Sequence, residues 1–312
     1  MTNWINGPDP APLTGLAVGN SLGMPFESGA SSRIEAWDGY YGEGVYPRGH
    51  CTGSAELALI AAEEITKSPD FNPGALATRY SEWYEGPNAK PVGKTTDKAL
   101  EYLSNGCPWV HSGISAGRGC DGVIRAIALG AYYKDLPDRA ILRIAETEAA
   151  LSHDADTAKS GSAAVALTIA HLSRGETNLR LVGERVVRIL SLTDSYKNLV
   201  FRLISSIASA ESDLNSGESR DLQQQNPEDA HVLVSQAYYC VRSSNSFEEA
   251  MQLSVRGSAD LSALTGGIAG AMYGVKAVAK YLPSLYQGER IRDLERVLLT
   301  KGPKIEGPVE WK

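Results

Sequence analysis

Two segments of the chain place glycine on one side of a helix at four-residue intervals. The first, GLAVGNSLGMPFE, carries Gly15, Gly19 and Gly23; the second, GGIAGAMYG, carries Gly266, Gly270 and Gly274. Glycine inside a helix costs about 1 kcal/mol relative to alanine, so such a stripe needs a compensating contact. Close packing of two helix backbones is the direct compensation. A second reading adds a pocket at the ends of the paired helices. Pro25 is expected to stop the first helix and to present Glu27 just beyond its end. Neither stripe is a phosphate loop, since no strand precedes it and no Gly-Lys-Ser/Thr follows.

The rest of the chain repeats the helical period. Helices are expected over Thr52–Ile65, from Asn72 or Pro73 to Gly86, and over Thr95–Leu103, Asp121–Tyr133 and Pro137–Leu151. Lys159–Leu172 is nearly all small and apolar, as a central helix should be. Leu179–Leu192, Tyr196–Ala210, Glu228–Arg242, Ser246–Arg256 and Asp260–Tyr281 follow. Few stretches show period-two alternation, and Val/Ile/Thr-rich strands are absent. The expectation is therefore one all-α domain over residues 1–312, with the polar stretch Ser212–Asn226 as a surface loop or frayed helix and, by its length, a candidate flap.

Composition excludes several functions. At 312 residues, one domain buries roughly three quarters of its unfolded surface. Thirty Lys and Arg against 37 Asp and Glu give a net charge of -7, which argues against a nucleic-acid or anionic-membrane partner. Cys51, Cys107, Cys120 and Cys240 show no Cys-x-x-Cys spacing, so reduced thiols are expected. The polar start MTNWINGPDPAP has no signal-peptide pattern. No apolar run reaches the roughly 20 residues of a membrane helix. A soluble, cytoplasmic protein is expected.

The order of segments resembles the ADP-ribosylglycohydrolase family, which includes the dinitrogenase reductase-activating glycohydrolases. From about Leu13 to Pro283 the matching pieces are GLAVGNSLGMPFES, GKTTDKAL, GCDGVIRAIALG, ETEAALSHDADTAKSGSAAVALTIAHL, HVLVSQAYYC and FEEAMQLSVRGSADLSALTGGIAGAMYG. The resemblance implies an all-α fold and glycosidic hydrolysis at a pair of Mg²⁺ ions held by Thr-Asp-Asp-Thr and Asp-x-Asp-Thr segments. This chain reads Thr52-Gly53-Ser54-Ala55 at the first and Gly257-Ser258-Ala259-Asp260 at the second. The family's Gly-Asp has become Gly19-Asn20, and its Asn-Gly has become Cys120-Asp121. A hard dication needs mostly charged oxygen ligands, so no metal ligand is assigned and the paired Mg²⁺ is not expected.

Other polar residues keep the family's places. Glu27 matches an acid that assists catalysis in some branches. Glu56 and Asp260 flank the former metal centre, and as a carboxylate pair in one cavity they would suit an oxocarbenium-like reaction. Asp260 is the candidate for stabilising positive charge, with Glu56 or Glu27 as general base. Thr52, Ser54, Asp121, Arg125, His153, Asp154 and Gly266 are the candidate substrate-binding residues. Arg125 reads equally as a structural ion pair, and Asp154 or Asp156 as a helix cap. Trp37, Tyr40, Tyr41, Tyr46, Trp109, Tyr132 and Tyr133 are either rim aromatics that stack on a base or ordinary packing. The expected activity is metal-independent cleavage of an N-ribosyl bond in an ADP-ribosyl or small nucleoside-like molecule. The alternative is an inactive pseudoenzyme with a binding, regulatory or structural role.

Overall fold

The computed structural model describes residues 9–27, 46–216 and 229–304. Its helices are α1 (Pro12–Glu27), α2 (Gly53–Ile65), α3 (Pro73–Glu85), α4 (Lys94–Ser104), α5 (Asp121–Tyr132), α6 (Asp138–Ala149), α7 (Asp156–Ser173), α8 (Leu179–Leu190), α9 (Lys197–Ser216), α10 (Ala230–Arg242), α11 (Phe247–Ser254), α12 (Ala259–Tyr273), α13 (Val275–Val278) and α14 (Gly288–Lys301). The fold is all-α. Among the described residues, β pairing is limited to an isolated bridge between Ile114 and His153. No described helix is long and apolar enough to cross a membrane, and none of the four cysteines forms a disulfide.

The glycine stripes meet at the centre. A Cβ on Gly15 would lie 2.1 Å from the Gly266 carbonyl oxygen, one on Gly19 2.0 Å from that of Ser262, and one on Gly23 2.9 Å from the Ala259 Cα. Residue numbers fall along α12 as they rise along α1, so the two helices run antiparallel with backbones in contact. Helix α5, every residue of which is buried, packs Ile127 onto Gly267. It also takes α7 against its own Gly130, where a Cβ would meet the Ala166 carbonyl at 2.4 Å.

Helix α14 closes the start of α1. Glu295 Oε1 accepts from the Leu13 and Thr14 amides at 2.6 and 3.1 Å, and Oε2 accepts from Thr14 Oγ1 at 2.6 Å. These are donors that a helix start otherwise leaves unmatched. Burial pushes the Glu295 carboxyl up to about 7, against the pull of those donors.

Three expectations change. Pro25 does not stop α1, which continues to Glu27; in a last turn the missing N–H forfeits a single hydrogen bond. The Asp260–Tyr281 helix ends at Tyr273, because Gly274 takes φ 79°, and the chain restarts as α13. Helix α9 runs past the expected end at Ala210 through Ser216, so the start of the Ser212–Asn226 stretch is helical, and residues 217–228 lie outside the described part.

At the α7–α10 contact, Asp229 caps α10 by accepting from the His231 and Val232 amides at 2.9 and 3.3 Å. The Ser160 hydroxyl donates to the Asp156 carbonyl at 2.6 Å, so His231 Nε2, 2.8 Å from Ser160 Oγ, is the donor there. Burial, with help from Arg118 and Arg202, brings the His231 imidazole down to about 4 against the pull of Asp229.

Two outcomes follow from these contacts. Gly266→Ala should cost about 1–3 kcal/mol or more in urea unfolding, because its Cβ would lie 2.2 Å from the Gly15 carbonyl oxygen. Gly74→Ala, where the nearest atom is 3.4 Å away, should be neutral or stabilising by about 0.5 kcal/mol. Equal effects at the two positions would refute the backbone contact. For His231, the folded protein binds fewer protons than the unfolded chain between about pH 4 and 6.5, so its contribution to stability is lost as pH falls. The stability gap between wild type and His231→Gln should therefore shift toward the variant by up to about 1.4 kcal/mol per pH unit in that range. A gap that stays constant with pH would show that His231 is charged in the fold.

Candidate active site

The N-terminal ends of α4, α5, α10 and α12 open on one cleft of about 680 Å³. Its wall includes Lys94, Asp121, His153, Asp229, Ser258 and Asp260. Helix N-termini carry unpaired N–H groups and a partial positive charge, so carboxylates gather there at little electrostatic cost. Asp121 is the first residue of α5 and Asp260 the second of α12.

A directed chain of hydrogen bonds leads to Asp260. The Thr52 amide donates to Asn20 Oδ1 at 2.7 Å, which fixes the orientation of that side-chain amide. Asn20 Nδ2 then donates to Thr52 Oγ1 at 2.9 Å. At the far end, Ser54 Oγ donates to Asp260 Oδ1 at 2.5 Å. Ser54 has one proton and it is engaged there, so across the 3.0 Å contact Thr52 is the donor and Ser54 the acceptor. Along this chain every proton points toward Asp260. Asp121 has its own hydroxyl donor, since Thr96 Oγ1 donates to Oδ2.

Behind the cleft lies a buried ion pair. Arg125 is 1% exposed and Glu148 0%; Arg125 Nε donates to Glu148 Oε1 at 2.5 Å and Nη2 to Ser152 Oγ at 2.7 Å. Tyr80 donates to the same Glu148 oxygen at 2.7 Å and places its ring 5.2 Å from the guanidinium carbon. The ion-pair reading of Arg125 is the one the structure supports, and its guanidinium is not open to a ligand phosphate. Ser152 Oγ lies 2.8 Å from His153 Nδ1. Burial first, and Arg125 second, bring His153 down to about 4, against the pull of Asp121.

Several sequence candidates fall elsewhere. Glu56 does not pair with Asp260. It faces a separate cavity of about 470 Å³, held by Lys90 Nζ at 2.5 Å and by Trp83 Nε1 at 3.2 Å. Glu56 follows Ser54 by two residues in α2, about 200° around the helix axis, so the two side chains leave opposite sides of the helix. Gly266 is buried mid-helix against Gly15, so its surroundings offer no helix-start amides to a phosphate. Asp154 is half-exposed and pairs with Lys159 at 3.0 Å; neither it nor Asp156 caps α7, whose N-cap is Ala155. Glu27 ends α1, and its side chain lies outside the described part, as do Trp37, Tyr40 and Tyr41. Tyr132 and Tyr133 are core residues, 2% and 1% exposed. Tyr46 lies under the Lys90 ammonium, 4.8 Å from ring centre to Nζ, and Trp109 is half-buried beside Gly74. Asn20, which the motif reading noted only as a replaced Asp, and Lys90 and Thr96 are polar residues to which it gave no role. A fully buried Asn between two stripe glycines was the available signal.

The residues present do not fit a pair of Mg²⁺ ions. A carboxylate at Gly53 has no room, because a Cβ there would lie 2.5 Å from the Pro91 carbonyl oxygen and 2.7 Å from Val92 Cγ1. The Thr52 and Ser54 hydroxyls are engaged in the relay. Among the described residues no three His, Cys, Asp or Glu side chains converge as a ligand set.

Comparison with known proteins agrees with this architecture. The chain is 27% identical over 299 residues to an uncharacterized protein of Archaeoglobus fulgidus, covering 90% of this chain and 92% of that one. It is 22% identical over 312 residues to the ADP-ribosylarginine hydrolase Tri1 of Serratia proteamaculans, covering 94% of this chain and 79% of the relative. Its fold superposes on a solved ADP-ribosylglycohydrolase-related protein complex with a TM-score of 0.70 at 26% identity, over 93% of this chain and 95% of that one. The ADP-ribosylglycohydrolase family matches residues 11–306, and with the helical fold and the paired glycine helices in place, the chain belongs to that family.

Proposed function

We propose that this protein is a metal-independent glycohydrolase that cleaves the N-ribosyl bond of an ADP-ribosyl or smaller nucleoside-like molecule. The observation that carries the reading is the cleft itself: Asp121 and Asp260 share it, each with a hydroxyl donor on one oxygen. Cleavage of an N-ribosyl bond develops positive charge on the ribose ring. A carboxylate held in place before the reaction stabilises that charge without reorganising. Asp260, oriented by the Asn20–Thr52–Ser54 relay, takes this role. Asp121 takes the general-base role for which the sequence offered Glu56 or Glu27, using the oxygen that Thr96 does not occupy to accept a proton from the attacking water. The water oxygen bonds to the ribose carbon as the bond to nitrogen breaks, and the leaving nitrogen retains the electron pair. The name of the Serratia relative supports an ADP-ribosylated arginine as the first substrate to try.

Asp260→Asn keeps the shape and removes the charge. Release of ADP-ribose from an ADP-ribosylarginine conjugate should fall by about 10³-fold, with the melting temperature nearly unchanged. Full activity in that variant would overturn the assignment, and a wild type that binds the conjugate without cleaving it would make the protein a pseudoenzyme. Treatment with a chelator should leave both the melting temperature and the turnover of the wild type unchanged. A loss reversed by added Mg²⁺ would refute metal independence.

A further inference from the structure

His153 is 1% exposed and lines the cleft. Its backbone is pinned by the bridge to the preceding loop, where the Ile114 amide donates to the Ser152 carbonyl at 3.0 Å and the Asp154 amide to the Ile114 carbonyl at 3.1 Å. On the Nδ1 side stands Ser152 Oγ at 2.8 Å, and that oxygen accepts from Arg125 Nη2 at 2.7 Å. A guanidinium offers no acceptor, so the Ser152 proton is not directed at Arg125. Among the described residues, His153 Nδ1 is the acceptor available to it. The serine therefore donates, Nδ1 accepts, and the neutral ring carries its own proton on Nε2. Nε2 is the ring atom nearest Gly119, where a Cβ would stand 2.7 Å away, and both residues belong to the cleft wall. No described residue accepts from Nε2.

We propose that Arg125 and Ser152 are positioning residues that lock His153 in its Nε2–H tautomer, so that His153 presents a fixed, uncharged donor to an acceptor oxygen of the ribosyl ligand. The ligand class rests on the glycohydrolase reading; the tautomer does not. Glu148 and Tyr80 hold the guanidinium in the orientation the lock requires. The low basicity of the buried ring, brought down to about 4, keeps it uncharged at neutral pH. His153 is then a hydrogen-bond donor and not a proton shuttle. Gly119 belongs to the same device, since any side chain there would meet Nε2.

The test is a long-range ¹H–¹⁵N spectrum of the histidine rings in the full-length protein, together with ADP-ribose titrations. The His153 signals should show a protonated Nε2 and an unprotonated Nδ1, unchanged between about pH 5.5 and 8. Ser152→Ala should let the two nitrogen shifts move toward each other as the other tautomer is populated, a change that a merely structural serine would not produce. His153→Gln places an amide N–H where Nε2–H stood and should keep ADP-ribose affinity within about threefold, while His153→Ala should lose about tenfold. A proton on Nδ1, an imidazolium at pH 7, or a Gln variant as weak as the Ala variant would overturn the proposal. The predicted spectrum in a wild type with no affinity for ADP-ribose would uphold the tautomer lock and refute the ribosyl reading.

Discussion

The backbone contact between α1 and α12 is the constraint on which the rest of the molecule depends. It carries Asn20, between Gly19 and Gly23, up to the start of α12, where Asn20 Nδ2 also lies 3.4 Å from the Ala259 carbonyl. With side chains at the stripe positions, the helices would separate by more than a hydrogen bond can span. Asn20 would lose its place beside Thr52, and Ser54 its short contact with Asp260. The same contact buries the start of α1, and Glu295 supplies acceptors for amides that water cannot reach there.

Around that axis the cleft is built from helix beginnings. Each of the helix starts on its wall brings partial positive charge, and the acids Asp121, Asp229 and Asp260 sit at those starts. Peptide dipoles and hydroxyl protons thus face these acids. Gly53, Ser54, Gly257 and Ala259 stand where the resemblance implies carboxylates. The Pro91 carbonyl and Val92 fill the space next to Gly53, and the Thr52 and Ser54 hydroxyls face one another. A buried ion pair is weak evidence of stability on its own. Here the Arg125–Glu148 pair also fixes a serine and, through it, a histidine ring.

Much of the fold was legible because helical periodicity and small-residue spacing are local properties of the chain. The helices from α2 to α11, α9 apart, begin and end within a few residues of where their apolar patterns do, and the glycine stripes mark the central pair. Pro25 and Gly274 misled for opposite reasons. A proline in a final turn forfeits only one hydrogen bond, whereas a glycine that adopts positive φ ends a helix whose apolar pattern continues. In the site, Asp260, Ser54, Thr52, Asp121 and His153 were picked out by motif position and do line or support one cleft. Glu56 was picked out by the same logic and faces elsewhere.

What the sequence alone determined is therefore the class of fold, the pair of helices at its centre and the uncharged residues at positions where the resemblance implies metal-binding carboxylates, all of which reside in residue identity and spacing. Only the tertiary structure decided which polar groups act together. Glu56 and Ser54 are two residues apart, yet the helix turns them toward different cavities, while Ser54 and Asp260 are separated by 206 positions and share a 2.5 Å hydrogen bond. Direction around a helix axis and distance across a packed core are not written in local sequence. They follow from how the helices pack, and that packing begins where glycine lets two backbones touch.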